Sequence, residues 1–253
     1  MQTQTSETLR RADPAPVPEW DAIIIGAGIS GLFQLHCLRD RLGMNVRLFE
    51  MGTGVGGTWY WNRYPGARFD SESYSYAYSF SQELLDEWDW SEHFAGQPET
   101  ERYLNHVADK FDLRRSISFA SKVTACHYHD DSRSWTVRLE DGSWHTCRFL
   151  VTAVGPLSAP TFPKVPGRES FAGEAYHTGL WPKHPVTFEN KRVAVIGTGA
   201  SGVQVITEIA KTAKSLTVFQ RRPNWCKPLH NRLIFKNEMK RLRAWYPEMF
   251  QLC

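Results

Sequence analysis

The first strong signal along the chain is Ala22-Ile23-Ile24-Ile25, a short continuous apolar run of the kind shown by a strand buried on both faces. It leads directly into Gly26-Ala27-Gly28-Ile29-Ser30-Gly31. From Ile29 the apolar residues Leu32, Phe33, Leu35, Leu38 and Leu42 keep helical spacing. Gly43 closes the helix, and Val46-Arg47-Leu48-Phe49 reads as a second strand. Together these predict one βαβ unit.

A glycine- and aromatic-rich loop follows from Gly52 to about Tyr78, and Glu99 to Phe111 reads as an amphipathic helix with Tyr103, Leu104, Val107, Ala108 and Phe111 on one side. Alternating stretches near Ile117 to Tyr128, Trp135 to Leu139 and Trp144 to Phe149, with Asp141-Gly142 between the last two, predict an antiparallel meander. The run Phe149 to Gly155 has another buried-strand pattern, returning to the first sheet, and Pro156, Pro160, Pro163 and Pro166 mark a linker. At Arg192 the opening repeats: Val193-Ala194-Val195-Ile196 leads into Gly197-Thr198-Gly199-Ala200-Ser201-Gly202, a helix through Val203, Ile206, Ile209 and Ala210, and a strand Leu216-Thr217-Val218-Phe219. Gly197 lies 171 residues after Gly26 (197 − 26), and this duplication says more than either copy alone. The predicted fold class is α/β with two Rossmann-like dinucleotide-binding units, the second incomplete. Residues 1–19 form a disordered tail, 20–155 the first unit with its meander insertion, 156–190 a linker, and 191–253 the N-terminal part of the second unit.

Composition narrows the function classes. With 30 Lys+Arg against 27 Asp+Glu the net charge is +3, too small and too evenly spread for a nucleic-acid surface or a polybasic membrane anchor. No run approaches the roughly 20 apolar residues of a membrane span, and residues 1–19 lack the apolar stretch of a signal peptide. Five cysteines form no C-x-x-C pair, so neither a zinc ribbon nor a redox dithiol is written here, and a reducing cytoplasm fits. Trp59, Trp61, Trp88, Trp90 and Trp181 suggest a planar-ligand pocket, with ordinary core packing as the alternative for each.

The glycine turns carry the first chemistry. A dinucleotide site needs a tight turn at Gly26, a Cβ-free approach of the backbone to a pyrophosphate at Gly28, and close helix-strand packing at Gly31, with the phosphates over a helix N-terminus. It also needs an acid at the end of the second strand to accept ribose hydroxyls. Glu50 stands there, 19 residues after Gly31. In the second copy the corresponding residues are Gln220, Arg221 and Arg222. A guanidinium binds a 2′-phosphate where a carboxylate repels it, so the second nucleotide is expected to be NADP; solvated loop charges are the alternative. Two such units point to a flavoprotein reduced by NADPH, and without C-x-x-C the disulfide-reductase class loses its redox centre.

Two further segments carry a resemblance. Gly56-Gly57-Thr58-Trp59-Tyr60-Trp61-Asn62-Arg63-Tyr64-Pro65-Gly66-Ala67-Arg68-Phe69-Asp70 resembles the G-G-x-W-x-x-x-x-[FY]-P-G-x-x-x-D motif of Baeyer-Villiger monooxygenases. The segment from Phe171 through Gly173, His177 and Trp181 to Pro182 matches their F-x-G-x-x-x-H-x-x-x-W-P fingerprint. Related amine- and sulfide-oxidising flavin monooxygenases usually carry Tyr or Phe where Trp181 stands, which favours the ketone-oxidising branch.

The resemblance implies FAD along the first unit, with Gly26, Gly28, Ser30 and Gly31 at the pyrophosphate, Glu50 at the adenosine ribose, Val123 meeting adenine, and Thr58, Trp59, Tyr60, Trp61, Arg68 and Tyr76 around the flavin. NADP would be held by Gly197, Thr198, Gly199, Ala200, Ser201, Gly202, Gln204, Arg221 and Arg222. The implied reaction uses NADPH and O2 to convert a ketone to an ester or lactone through a flavin C4a-peroxide, with no metal. Asp70 is similar to the family aspartate that pairs with an arginine beside the flavin; a plain buried ion pair is the alternative. Tyr76 also belongs to the Tyr74, Tyr76, Tyr78 pattern that a strand face would show. His177 reads as a turn residue rather than a general base. Members of the family are longer than this chain, and none of Arg232, Arg241 or Arg243 matches the family's active-site arginine. An N- or S-oxidising flavin monooxygenase and a catalytically incompetent fragment remain open alternatives.

Overall fold

A computed structural model describes residues 18–251. Most of the expected N-terminal tail, residues 1–17, lies outside that range. Strand β1 (Trp20–Ile25) runs parallel to both β2 (Val46–Phe49) and β6 (Trp144–Thr152), at the centre of a six-stranded sheet. With β3 (Ile117–Ser118), β4 (Val123–His129) and β5 (Ser134–Leu139), the strand order is β3-β2-β1-β6-β5-β4. The unbroken apolar run of β1 follows from this position. Ala22 and Ile24 face one core under the helices, while Ile23 faces a second core made by Phe49, Val137, Leu139 and Cys147.

The meander differs from its expected form at both ends. The stretch from Ile117 breaks at Ala120, whose φ is +51°, so that β3 pairs in parallel with β2 and only β4 enters the antiparallel half. The predicted strands at 144–149 and 149–155 are one strand. The first half of β6 pairs antiparallel with β5 and its second half parallel with β1, which exposes Phe149 instead of burying it. Helix α1 (Ile29–Leu35) also changes along its length, continuing as a π-helix over His36–Arg41 and leaving Leu42 exposed. Within that turn Arg39 donates to the carbonyls of Phe111 and Asp112, both at 2.8 Å, capping α4 (Gln97–Lys110). Between β2 and α4 lie two short helices, α2 (Thr58–Trp61) and α3 (Gln82–Glu87). Tyr74, Tyr76 and Tyr78 surround a 3-10 turn at Ser73–Ser75, not a strand.

The second unit consists of parallel strands β7 (Arg192–Ile196) and β8 (Ser215–Phe219) with α5 (Ala200–Ile209) between them. The chain then returns to the first unit. Residues Asn231 to Ile234 run beside Ser91 to Phe94, where the Asn231 side chain accepts from the Phe94 amide at 2.9 Å and Ile234 N–H donates to Ser91. Helix α6 (Lys236–Gln251) buries Met239, Tyr246 and Met249 in the first core. Its Arg243 reaches the carbonyls of Leu85 and Trp88 and the Asp89 carboxylate. The C-terminal stretch expected in the second unit therefore packs against the first.

Candidate nucleotide sites and their glycine turns

The two glycine turns share one geometry. Gly26 and Gly197 have φ of +101° and +104°, in the left-handed half of the map that favours glycine, and each amide donates to the carbonyl that ends the next strand, Phe49 of β2 or Phe219 of β8, at 2.9 Å. A Cβ on Gly31 would stand 1.8 Å from the Gly26 carbonyl oxygen, and one on Gly202 would stand 2.5 Å from that of Gly197. These contacts pull helix and strand together. Gly28 and Gly199 are the extended N-cap residues of α1 and α5, and neither has a side-chain cap, so the first-turn amides, which have no intrahelical acceptors, remain available to an anion. A Cβ on Gly28 would meet only Gly57, at 3.4 Å or more. Both turns thus have the shape and donors that a pyrophosphate requires, with Ser30 exposed in the first and Ala200 opening the helix of the second.

The strand ends differ. Glu50 is buried, and its carboxylate accepts from Ala27 N–H and Gly52 N–H, both at 2.7 Å, locking the glycine turn to the loop that follows β2. In the second unit Gln220 Nε2 donates to the Thr198 hydroxyl at 3.0 Å, and Asn224 donates to the Thr198 carbonyl. Arg221 and Arg222 are exposed and form no ion pair among the described residues. Val123 opens β4 and is half-buried against the second core.

The motif segment Gly56 to Asp70 does several separate jobs. Trp59 is buried, donates from Nε1 to the Tyr76 hydroxyl at 2.9 Å, and stands edge-on to Phe69, whose ring stacks on Tyr76 at 4.6 Å. Burial pushes the Tyr76 phenol up, with the Trp59 bond acting in the opposite sense. Tyr60 points into a different environment. Cβ atoms on Gly52 and Gly54 would lie 2.7 and 3.1 Å from its ring, so the glycine loop wraps around it. Its hydroxyl accepts from Thr53 N–H and from Lys183 of the linker, whose ammonium lies over the ring. Burial raises the Tyr60 phenol, but the bonds from Lys183 and Thr53 outweigh it and leave the pKa below the usual tyrosine value. Trp61 stacks edge-on to Tyr60, and Thr58 accepts through its carbonyl from Asn62.

Arg68 donates to Glu92 at 3.1 Å and to the Phe94 carbonyl, while Asp70 is exposed and has no arginine partner among the described residues, so the plain buried ion pair is not formed there. Trp88 and Trp90 pack on Tyr103 in the first core, whereas Trp181 packs with Tyr176 and Phe188 beside the second unit. The five tryptophans do not share one pocket. His177 accepts from Gly179 N–H at 3.0 Å, a turn role. Gln204 is held by Tyr64 and the Arg68 backbone, and Ser201 lies at the Tyr64 phenol, whose pKa burial raises. Sequence reasoning missed Lys183 and the purpose of Gly52 and Gly54. The alternate-residue glycines ahead of an aromatic were the available signal.

Residues 21–234 match the family described as flavin-binding monooxygenase-like. The chain is 48% identical over 243 residues to 2-oxo-Delta(3)-4,5,5-trimethylcyclopentenylacetyl-CoA monooxygenase of Pseudomonas putida, covering 94% of this chain and 44% of that protein. It is 47% identical over 230 residues to acetone monooxygenase (methyl acetate-forming) of Gordonia sp., covering 91% and 42%. It is also 45% identical over 215 residues to phenazine N-monooxygenase PhzNO1 of Lysobacter antibioticus, covering 85% and 40%. A crystal structure of OTEMO in complex with FAD and NADP superposes with a TM-score of 0.89 at 49% identity, over 93% of this chain and 45% of that one. The chain thus spans less than half the length of these relatives. With the family matched across both glycine turns and the segment between them, the chain belongs to the flavin-binding monooxygenase-like family.

Proposed function

We propose that the chain binds FAD through residues 20–155 and starts an NADP-binding unit at residue 191, within a monooxygenase that uses NADPH and O2 to convert a ketone to an ester or lactone. The observation that carries this reading is the duplicated glycine turn with unlike strand ends, a carboxylate at Glu50 and guanidinium groups at Arg221 and Arg222. The acetone monooxygenase (methyl acetate-forming) among the similar proteins supports ketone oxidation. FAD, when bound, supplies the electron transfer and the oxygen activation. The protein's own part is positional. The α1 N-terminus and Gly28 receive the pyrophosphate, Glu50 the ribose and Val123 the adenine, while the Trp59–Tyr76 pair and Thr58, Trp61 and Arg68 shape the flavin surroundings. Asp70 takes the electrostatic role at the reacting end. Gly197, Gly199, Ala200, Ser201 and Gly202 form the second cradle, with Thr198 oriented by Gln220. No helix among the described residues is long and apolar enough to cross a membrane. The free thiols of Cys37, Cys126, Cys147 and Cys226 are what a reducing cytoplasm maintains, which supports that setting.

A second reading, nitrogen oxidation, is favoured by the similarity to the phenazine N-monooxygenase. Product analysis with a ketone panel and an aromatic N-heterocycle separates the two. The cofactor reading is tested by the visible spectrum of the purified chain and of Gly28→Ala. The added methyl group meets only Gly57, at 3.4 Å, so the fold should survive while the flavin absorbance is lost. Full retention of FAD by the folded variant overturns the assignment.

A further inference from the structure

Gln204 lies on α5 four residues after its first residue, Ala200, yet its side chain is turned to the first unit. Oε1 accepts from the Tyr64 hydroxyl at 2.9 Å and from Arg68 N–H at 3.4 Å, and Nε2 donates to the Arg68 carbonyl at 2.9 Å. A side-chain amide that engages both polar groups of one backbone residue fixes position along the chain as well as distance, much as a strand pair does. The contact is close on both sides. Gly66 has a φ of +81°, and a Cβ there would stand 2.9 Å from the Gln204 carbonyl oxygen and 2.8 Å from Glu208. Around the clip, Tyr64, Ala67, Val205 and Ile209 form one buried apolar cluster.

From these contacts we infer that Gln204 is a positioning residue that holds the second glycine turn at a fixed offset from the Trp59, Phe69 and Tyr76 aromatic group, and is not a coenzyme ligand. This rests on the proposed two-cofactor function. The clip joins the helix that follows Gly199 to the backbone immediately before Phe69, so a slip of α5 would change the separation of the two sites without disturbing either cradle. Hydride transfer needs reacting atoms about 3–3.5 Å apart, and a misplacement of about 1 Å costs on the order of 100-fold in rate.

The test compares wild type with Gln204→Leu and with Tyr64→Phe, which removes the phenol's contacts with Gln204 and Ser201 and keeps the ring and the whole α5 sequence. Three readouts are taken: binding of FAD and of NADPH, flavin reduction at saturating NADPH, and hydrogen exchange over residues 64–68. For Gln204→Leu the expected result is flavin reduction slower by about 100-fold, near-normal binding of both cofactors, and faster exchange at 64–68; Tyr64→Phe should show a smaller change of the same kind. Weakened NADPH binding with an unchanged reduction rate would make Gln204 a ligand and overturn the inference, as would unchanged exchange at 64–68. If Gln204→Leu does not fold, the same criteria apply to Tyr64→Phe. A wild-type chain without FAD would refute the cofactor reading, whereas the exchange measurement would still decide whether the clip exists.

Discussion

The two βαβ units make the same turn and finish it differently. In the first, the turn is locked from three directions: Gly26 lies against the Ala153 backbone, Glu50 bonds Ala27 and Gly52, and Gly57 lies against Gly28. In the second, among the described residues, a Cβ on Gly197 or Gly199 would meet nothing within 4 Å, β7 pairs with β8 alone, and Ile196 and Phe219 are exposed. A glycine fingerprint therefore specifies a local backbone path, while the rigidity of that path comes from neighbours far along the chain, here β6 and the loop after β2.

The comparison is most easily broken with alanine at the third glycine of each turn. In Gly31→Ala the new carbon would stand 1.8 Å from the Gly26 oxygen, and Gly26 cannot retreat because Ala153 blocks it, so we expect a loss of about 3 kcal/mol in urea denaturation. Gly202→Ala creates a clash at 2.5 Å against a turn with open space behind it, and about 1 kcal/mol is expected. Equal losses would show that the two turns are equally constrained.

The strand ends should separate the coenzymes. Arg221 follows Gln220 at the end of β8, and a charge-assisted bond to a 2′-phosphate contributes about 1.5–3 kcal/mol. Arg221→Ala should therefore weaken NADPH binding by roughly 10- to 100-fold and leave NADH within about twofold, as read by titration calorimetry. Equal losses for both coenzymes would assign the arginine to the fold or to the pyrophosphate.

What the sequence disclosed, and what it hid, follows from the range of the interactions. Local chemistry was legible: β2 spans the predicted Val46–Phe49, both glycine turns form, and Asp141-Gly142 turns with Gly142 at a φ of +89°. The break at Ala120 was hidden because alanine carries no signature for a left-handed conformation, and its amide is held by Gly52, 68 residues earlier (120 − 52). The return of α6 to the first core depends on Asn231 meeting Phe94, a pairing that no periodicity encodes. At the site, Glu50 announces itself by its place after an apolar strand, whereas Gln204 looks like any polar helix residue until Tyr64 and Arg68 are placed opposite it.

The smallest expected effect comes from giving the second strand end the charge of the first, in Gln220→Glu. Gln220 now donates to the Thr198 hydroxyl at 3.0 Å. A carboxylate of nearly the same shape accepts from that hydroxyl instead, since the O–H rotates to suit its partner, and the turn should keep its geometry. What changes is one negative charge at the place where a 2′-phosphate would bind. The partner charge of Arg221 stays, and the site is exposed to solvent, so the repulsion is screened to about 1 kcal/mol, or about fivefold in affinity for NADPH. A coenzyme with free ribose hydroxyls gains an acceptor in the same change, the role proposed for Glu50 in the first unit. The NADPH-to-NADH affinity ratio should fall by roughly fivefold or more, and it should fall further at low salt than at high salt. An unchanged ratio in a folded variant would mean that the residue after β8 does not face the 2′ position, and that the contrast between Glu50 and Gln220 concerns turn stability alone.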